Sequence, residues 1–115
     1  NSRPDPTLRA CLMDSGYRRL AADMIHSAIH VARQALPPRE LERLQAKARA
    51  HRRHGRRVDS RIRDKLAQHR EAISAMRWLE GAPAKVPAPL CCELVGLDHD
   101  AVVSKLRRMG LLRRV

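Results

Sequence analysis

The sequence predicts a single all-α domain of four to five helices that ends in a helix-turn-helix-like unit. A chain of 115 residues is long enough for one domain to bury most of its apolar surface without metals or crosslinks. Apolar residues recur at helical spacing over long stretches, whereas the alternation typical of strands is rare. With one Trp, one Tyr and no Phe, the core depends on Ala, Leu, Val, Ile and Met.

Prolines bound the first predicted helix. Residues 1–16 carry two prolines and no helical periodicity, which predicts a flexible N-terminal arm, and residues 17–115 are expected to form the helical domain. The helix begins near Tyr17 and stops at Pro37 and Pro38, because a residue that precedes proline avoids the helical region. Its core-facing stripe is predicted to consist of Leu20, Met24, Ala28, Val31 and Ala35, flanked by Ala21, Ile25, Ala32 and Leu36.

Two further helices follow the proline pair. The first is predicted to be exposed and to fray near Gly55, since its apolar seam is thin and consists of Leu41, Leu44 and Ala48. The second begins at an N-cap, Asp59 or Ser60, and ends at Glu80 before a C-terminal glycine, Gly81. Its stripe contains Ile62, Leu66, His69, Ile73, Met76 and Leu79. Within that stripe we expect His69 to be a hydrogen-bonded buried imidazole and not a catalytic base.

The C-terminal part predicts an extended connector and two short helices. The connector, "APAKVPAP", contains three prolines in eight residues. Residues 90–95 form the first short helix, and Gly96 supplies a turn after which Leu97 points inward. Asp98 is expected to cap a second helix over residues 99–109, which Gly110 ends before a basic tail, "LLRRV".

The charge of the chain predicts an anionic partner. Lys and Arg number 24 against 12 Asp and Glu, a net charge of +12, and such self-repulsion within a compact domain favours binding to anions. The charge is concentrated in residues 39–57 and 103–115. Nucleic acid is the first candidate, and an acidic protein surface is the second. A membrane is not expected, since no stretch approaches the ~20 apolar residues that span one.

The basic run over residues 47–63 can neutralise phosphates without reading sequence. It holds eight cations and a single opposing carboxylate, Asp59, and phosphate contacts of this kind release counterions from nucleic acid. The pattern does not distinguish DNA from RNA, and a solvated helix face is its alternative interpretation.

The segment from Pro89 to Arg114 has two interpretations. In a helix-turn-helix, Cys92 and Gly96 would take the small-residue and turn positions, although Lys105 falls where such motifs often bury an aliphatic side chain. Helical-wheel geometry places Val102, Val103, Leu106 and Met109 on the core face and Asp100, Ser104, Arg107 and Arg108 on the outward face, with Lys105 at its edge. The alternative is a helical hairpin that closes the core.

Cysteine and histidine patterns predict no metal site, cofactor or disulfide framework. Three cysteines, Cys11, Cys91 and Cys92, indicate small buried thiols in a reduced compartment. The zinc-compatible pair of His26 and His30 lies on a polar face without a third ligand, which favours a surface pair. Because no phosphate loop, nucleophile elbow or paired-carboxylate arrangement appears, we expect no enzyme.

Three segments together resemble a known family: "RRLAADMIHSAIHVARQAL", "AISAMRWLEG" and "PLCCELVGLDHDAVVSKLRRM". They are similar to small helical proteins of phages and prophage-like elements, and to the domains of activators of gene transfer agent clusters. The resemblance covers most of the chain, from about Tyr17 to Met109. It implies that Trp78 and Leu79 pack together at a helix end. It also implies a first helix and turn formed by Cys92, Glu93, Leu94, Gly96, Leu97 and Asp98.

These observations and the resemblance favour a DNA-binding transcriptional activator of phage or gene-transfer-agent genes, located at the bacterial nucleoid in the cytoplasm. Double-stranded DNA is its expected partner, and the oligomeric state is open. The residues expected to bind DNA are Ser104, Lys105, Arg107, Arg108, Arg113 and Arg114 near the C-terminus and Arg49, Arg52, Arg53, Arg56 and Arg57 in the basic run. The alternative is a module that docks on an RNA polymerase subunit or elongation factor, or binds RNA in antitermination. A packaging protein without sequence preference is a third possibility.

Overall fold

Five α-helices and no strand occur in the part of the chain that the computed structural model describes, residues 15–112. In chain order the helices are α1 (Ser15–Ala32), α2 (Pro38–Arg53), α3 (Ser60–Leu79), α4 (Ala88–Leu94) and α5 (His99–Arg108). The predicted all-α class is therefore confirmed. Residues 1–14 of the predicted arm lie outside the described residues, and the last two arm positions, Ser15 and Gly16, are already helical.

Helix α1 buries a different part of its apolar surface than the wheel predicted. Ala21, Ile25 and Ala32 are buried, whereas Leu20 is 55% exposed and Met24 is half-buried. The apolar sector of α1 is wider than the surface its neighbours cover. Helices α3 and α4 pack on the side where small alanines permit close approach. The predicted face was thus displaced by about one residue.

The end of α1 also precedes the predicted one. The helix stops at Ala32, five residues before Pro37, and the chain then tightens through hydrogen bonds from the amides of Gln34 and Ala35 to the carbonyls three residues earlier. Such bonds satisfy terminal carbonyls that the α-helical pattern leaves without partners. Ala35 and Leu36 therefore belong to the α1–α2 linker.

Helices α2 and α3 form where the capping residues predicted them. Pro38 occupies the first position of α2, where its missing N–H costs no hydrogen bond. Asp59 caps α3 by accepting a hydrogen bond from the Arg61 amide at 2.9 Å. As predicted, α2 is narrowly apolar and buries only Leu44 and Ala48.

One backbone motif ends four helices of the described chain. After α3, the amides of Gly81 and Ala82 donate to the carbonyls of Trp78 and Arg77, a Schellman arrangement that requires a left-handed residue. Gly81 supplies it with φ of +104°. The glycines that follow α2, α4 and α5 repeat these bonds: Gly55, Gly96 and Gly110.

The core consists of three groups of side chains arranged along α3. Near its start, Ile62 packs with Leu44 and Ala48 of α2. Near its end, Met76 and Leu79 pack with Ala32 of α1, with Val103 and Leu106 of α5, and with Leu112, which follows α5. A third group joins α1 to α4 through Ala21, Ile25, Cys91, Cys92 and Leu94. Ala72, which the predicted stripe omitted, is completely buried.

Trp78 contacts both groups that involve α1. Its Nε1 donates a hydrogen bond to the Val86 carbonyl at 2.9 Å, which attaches the connector between α3 and α4 to the end of α3. Leu79 beside it is buried, so both members of the expected packing pair contribute to the core.

The C-terminal helices differ from prediction in four details. Helix α4 begins at Ala88, two residues early, because Pro89 fits its first turn. Asp98 occupies the N-cap position of α5 without a side-chain capping bond. Leu97 and Met109 are about half exposed instead of inward-facing, since they flank the glycine turns at the surface. Part of the predicted basic tail is core, as Leu112 is buried.

His99 anchors the start of α5. Its Nε2 donates to the carbonyl of Leu79 at 2.8 Å, which satisfies one of the terminal carbonyls of α3. Its ring also lies against Gly81, where an added Cβ would be 3.2 Å from Cε1 of the imidazole.

We expect Gly81→Ala to destabilise the protein more than Gly55→Ala. Both substitutions place alanine at positive φ, which costs roughly 1–2 kcal/mol. Gly81→Ala also crowds His99, for about 1 kcal/mol more, whereas no atom lies within 4 Å of the Gly55 position. Urea unfolding of both variants measures the difference. Equal losses would contradict the contact between Gly81 and His99.

The thiols of Cys91 and Cys92 are buried, as predicted, while Cys11 lies outside the described residues. Burial raises the pKa of both thiols, and for Cys92 the neighbouring Cys91 and Asp98 add to the rise.

We therefore expect stability to fall as the pH rises above the ordinary thiol range, about 8.5. A raised folded-state pKa gives a contribution that is complete below the unfolded pKa and is lost as the pH passes the folded value. Urea unfolding between about pH 7 and pH 10 measures the loss, and Cys91→Ala with Cys92→Ala should reduce it. A pH dependence that survives both substitutions would exclude these thiols as its cause.

Candidate nucleic-acid interface

Helix α2 exposes cations because its buried seam is narrow. With Leu44 and Ala48 alone buried, most of its circumference faces solvent. The exposed cations of α2 are Arg39, Arg43, Lys47, Arg49, Arg52 and Arg53, and the loop that follows adds Arg56 and Arg57. All five arginines predicted here to bind DNA are therefore accessible.

A groove of about 370 Å³ runs between α2 and α3. Its apolar part is formed by Leu41, Ala48 and Leu66. Its polar part is formed by Gln45, Arg49, Arg52, His69 and Arg70. No carboxylate is among the described residues that line it. The groove thus joins side chains from two helices into one basic concavity.

Helical spacing explains which cations reach the groove. Arg49 and Arg52 are three residues apart and share one side of α2, as does Gln45 one turn earlier. Arg53, Arg56 and Arg57 are exposed but do not line it. The structure thus divides the predicted backbone-binding set in two.

Arg70 was missed by the sequence analysis because it lies beyond the dense run over residues 47–63. A weaker signal could have found it: Arg63, Arg70 and Arg77 recur every seven residues, which places them on one side of α3. All three are exposed. Pairing that side with α2 requires knowledge of how the two helices pack.

His69 is held by the chain between α1 and α2. The Leu36 amide donates to its Nδ1 at 3.0 Å, and the residue is partly buried. The expected hydrogen bond of this imidazole is confirmed, whereas its expected burial is only partial. The bond also fixes the ring in the wall of the groove.

Acidic side chains neutralise little of this surface. Within residues 15–112, the one ion pair closer than 4 Å joins Lys65 to Glu40 at 3.7 Å. Both side chains are substantially exposed, so the pair contributes little stability. None of the groove arginines takes part in it.

Helix α5 presents the predicted outward face. Ser104, Lys105, Arg107 and Arg108 are exposed, opposite buried Val103 and Leu106. Arg113 and Arg114 lie outside the described residues. The α4–Gly96–α5 segment forms two packed helices joined by a tight turn, and its helix-turn-helix-like role stays a prediction.

The two sets of predicted cations belong to different core groups. Helix α5 packs with Met76 and Leu79 near the end of α3, whereas α2 packs with Ile62 near its start. The twenty-residue helix α3 connects them. The two basic surfaces, on α2 and on α5, therefore pack against opposite ends of α3.

His26 and His30 are exposed, and residues 15–112 contain no group of three or more side chains able to hold a metal ion. None of the helices in that range has the combined length and apolar character required to cross a bilayer.

We expect Leu44→Ala to loosen α2 while the other helices remain protected. The substitution removes the main apolar contact of α2 and costs roughly 2–5 kcal/mol where the cavity cannot collapse. Amide hydrogen exchange should accelerate in α2, since α2 packs on α3 alone among its main contacts. Leu94→Ala, in the α1–α4 group, is the matched control. Uniform acceleration in all helices would show that α2 is not a separate unit.

Comparisons with known proteins leave the family of this chain unassigned. It matches no protein-family model, no curated protein and no solved structure at a significant level. The similarity to activators of gene transfer agent clusters stays an expectation based on three sequence segments.

Proposed function

We propose that the protein is a DNA-binding transcriptional regulator, an activator of phage or gene-transfer-agent genes that works at the bacterial nucleoid. The observation that carries this proposal is the exposed, carboxylate-poor cation surface of α2 and its groove. In a chain of net charge +12, such a surface lowers its own electrostatic repulsion when it binds a polyanion.

The two basic surfaces suit different contacts with a duplex. Arg52, Arg53, Arg56 and Arg57 neutralise backbone phosphates, which gives affinity without sequence preference. Arg107 and Arg108 pair bidentately with guanine edges or phosphate, and the short Ser104 permits close approach of α5. Asp100 on the same face reads a cytosine amino group or orients an arginine.

A second candidate function is docking on an RNA polymerase subunit or elongation factor. It is favoured by an apolar surface on α1 that DNA binding does not require. Tyr17 and Leu20 are half exposed. A groove of about 410 Å³ is lined mainly by apolar side chains, with two polar ones at α1: Met24, Ala28, Ala75, Trp78, Asp23 and Ser27. Exposed apolar surface of this kind is typical of protein interfaces. RNA binding during antitermination is a variant of this candidate.

We expect the protein to bind one genomic duplex at ~150 mM salt and to release random duplexes there, because base contacts survive the screening that removes phosphate contacts. Fluorescence anisotropy from ~50 to ~300 mM salt measures this. Weak binding that vanishes with salt on every duplex would instead favour the docking function.

The same assay separates the two surfaces. Arg107→Ala with Arg108→Ala should reduce sequence preference, at roughly 1–3 kcal/mol per base contact. Arg52→Ala with Arg53→Ala should weaken binding to all duplexes alike. It should also reduce the slope of log affinity against log salt concentration by about one to two. Equal losses on all sequences from both pairs would refute the separate roles.

A further inference from the structure

We propose that the α2–α3 groove is a binding site for one phosphate group. Arg49 and Arg52 of α2 and Arg70 of α3 supply the charge, and His69 supplies a neutral N–H donor. The inference rests on the proposed function for the source of the phosphate, which is the backbone of nucleic acid. A small phosphorylated molecule carries the same group and is the other source.

Convergence from two helices distinguishes this site from the rest of the basic surface. The three arginines line one concavity without a carboxylate among its described lining residues. Guanidinium is planar and matches a pair of phosphate oxygens, so neighbouring arginines can bind one phosphate from different sides. Arg53, Arg56 and Arg57 have equal charge but lie outside the groove.

The hydrogen bond at His69 sets the role of its ring. Because Nδ1 accepts the Leu36 amide at 3.0 Å, the neutral imidazole carries its proton on Nε2. His69 lines the groove, and in the proposed site its Nε2–H donates to the phosphate without adding a positive charge.

The apolar floor indicates an ester of phosphate. Leu41, Ala48 and Leu66 offer carbon surface beside the arginines, which suits the deoxyribose or ribose next to a phosphate. An inorganic anion would leave that surface exposed to water. We therefore expect a phosphodiester to bind more tightly than inorganic phosphate of similar charge.

The test is a nitrogen-15 NMR titration of the intact chain with inorganic phosphate and with a thymidine dinucleotide, at constant ionic strength. Both should shift the side-chain N–H signals of Arg49, Arg52, Arg70 and His69, the dinucleotide at lower concentration. Arg49→Gln with Arg52→Gln should lower the affinity for the dinucleotide by about tenfold or more. The matched control, Arg43→Gln with Lys47→Gln, removes equal charge from α2 outside the groove and should change affinity less than threefold.

Two substitutions at His69 separate the loss of its Nε2 hydrogen-bond donor from a loss of stability. Asparagine retains an acceptor near the position of Nδ1 for the Leu36 amide but lacks the Nε2 donor. His69→Asn should therefore lower the affinity for the dinucleotide several-fold and leave urea unfolding unchanged. His69→Leu should lower both the affinity and the stability. Unchanged dinucleotide affinity in His69→Asn would remove His69 from the site.

The outcomes for the groove and for the proposed function differ. Shifts outside the groove only, or equal losses from the groove pair and its control, would overturn the phosphate site even if duplexes bind. Groove shifts with the dinucleotide, without binding to any duplex, would support the site, overturn the DNA-binding proposal and assign the phosphate to a small molecule.

Discussion

The packing of α3 against different partners along its length holds the described fold together. Its first half contacts α2 through Ile62, and its second half contacts α1 and α5 through Met76 and Leu79. The carbonyl of Leu79 also receives the His99 side chain, so the helix that carries the C-terminal cations is attached to the end of α3. Both basic surfaces thus keep a fixed relation to one helix.

Charge limits how firmly α2 can be held. A helix with cations on most of its surface has few positions left for apolar contacts, and α2 buries two side chains where α3 buries four. Its attachment is reinforced by polar means, through the His69 bond to the linker before it and the capped loop after it. Exposed positive charge and local stability therefore compete within the same sixteen residues.

Most helix ends could be predicted from the sequence because they depend on local chemistry; the early end of α1 at Ala32 and the early start of α4 at Ala88 are the exceptions. Pro38, Asp59 and the four capping glycines act through their own backbone or nearest neighbours, and the structure places them where those properties predict. The buried face of α1 could not be predicted from its wide apolar sector, since coverage depends on where α3 and α4 lie. Leu97 and Met109 were misplaced for the same reason.

In the candidate site, too, features set by one helix could be predicted and features set by helix packing could not. Exposure of Arg49, Arg52, Arg107 and Arg108 follows from wheel geometry, and the structure agrees. The groove does not follow from wheel geometry, because Arg70 and His69 share it with Arg49 only through the packing of two helices. Charge runs reveal which segments are basic, whereas a concavity between segments is a tertiary property.

Trp78 gives this chain a spectroscopic property that follows from its position. It is the single tryptophan, it contacts both core groups of α1, and its indole borders the apolar groove beside Met24 and Ala75. The α2–α3 groove contains no aromatic ring apart from the imidazole of His69. Tryptophan emission is therefore expected to shift if a protein docks on α1, and to keep its wavelength if a phosphate binds in the basic groove. One fluorophore distinguishes the two kinds of partner without any label.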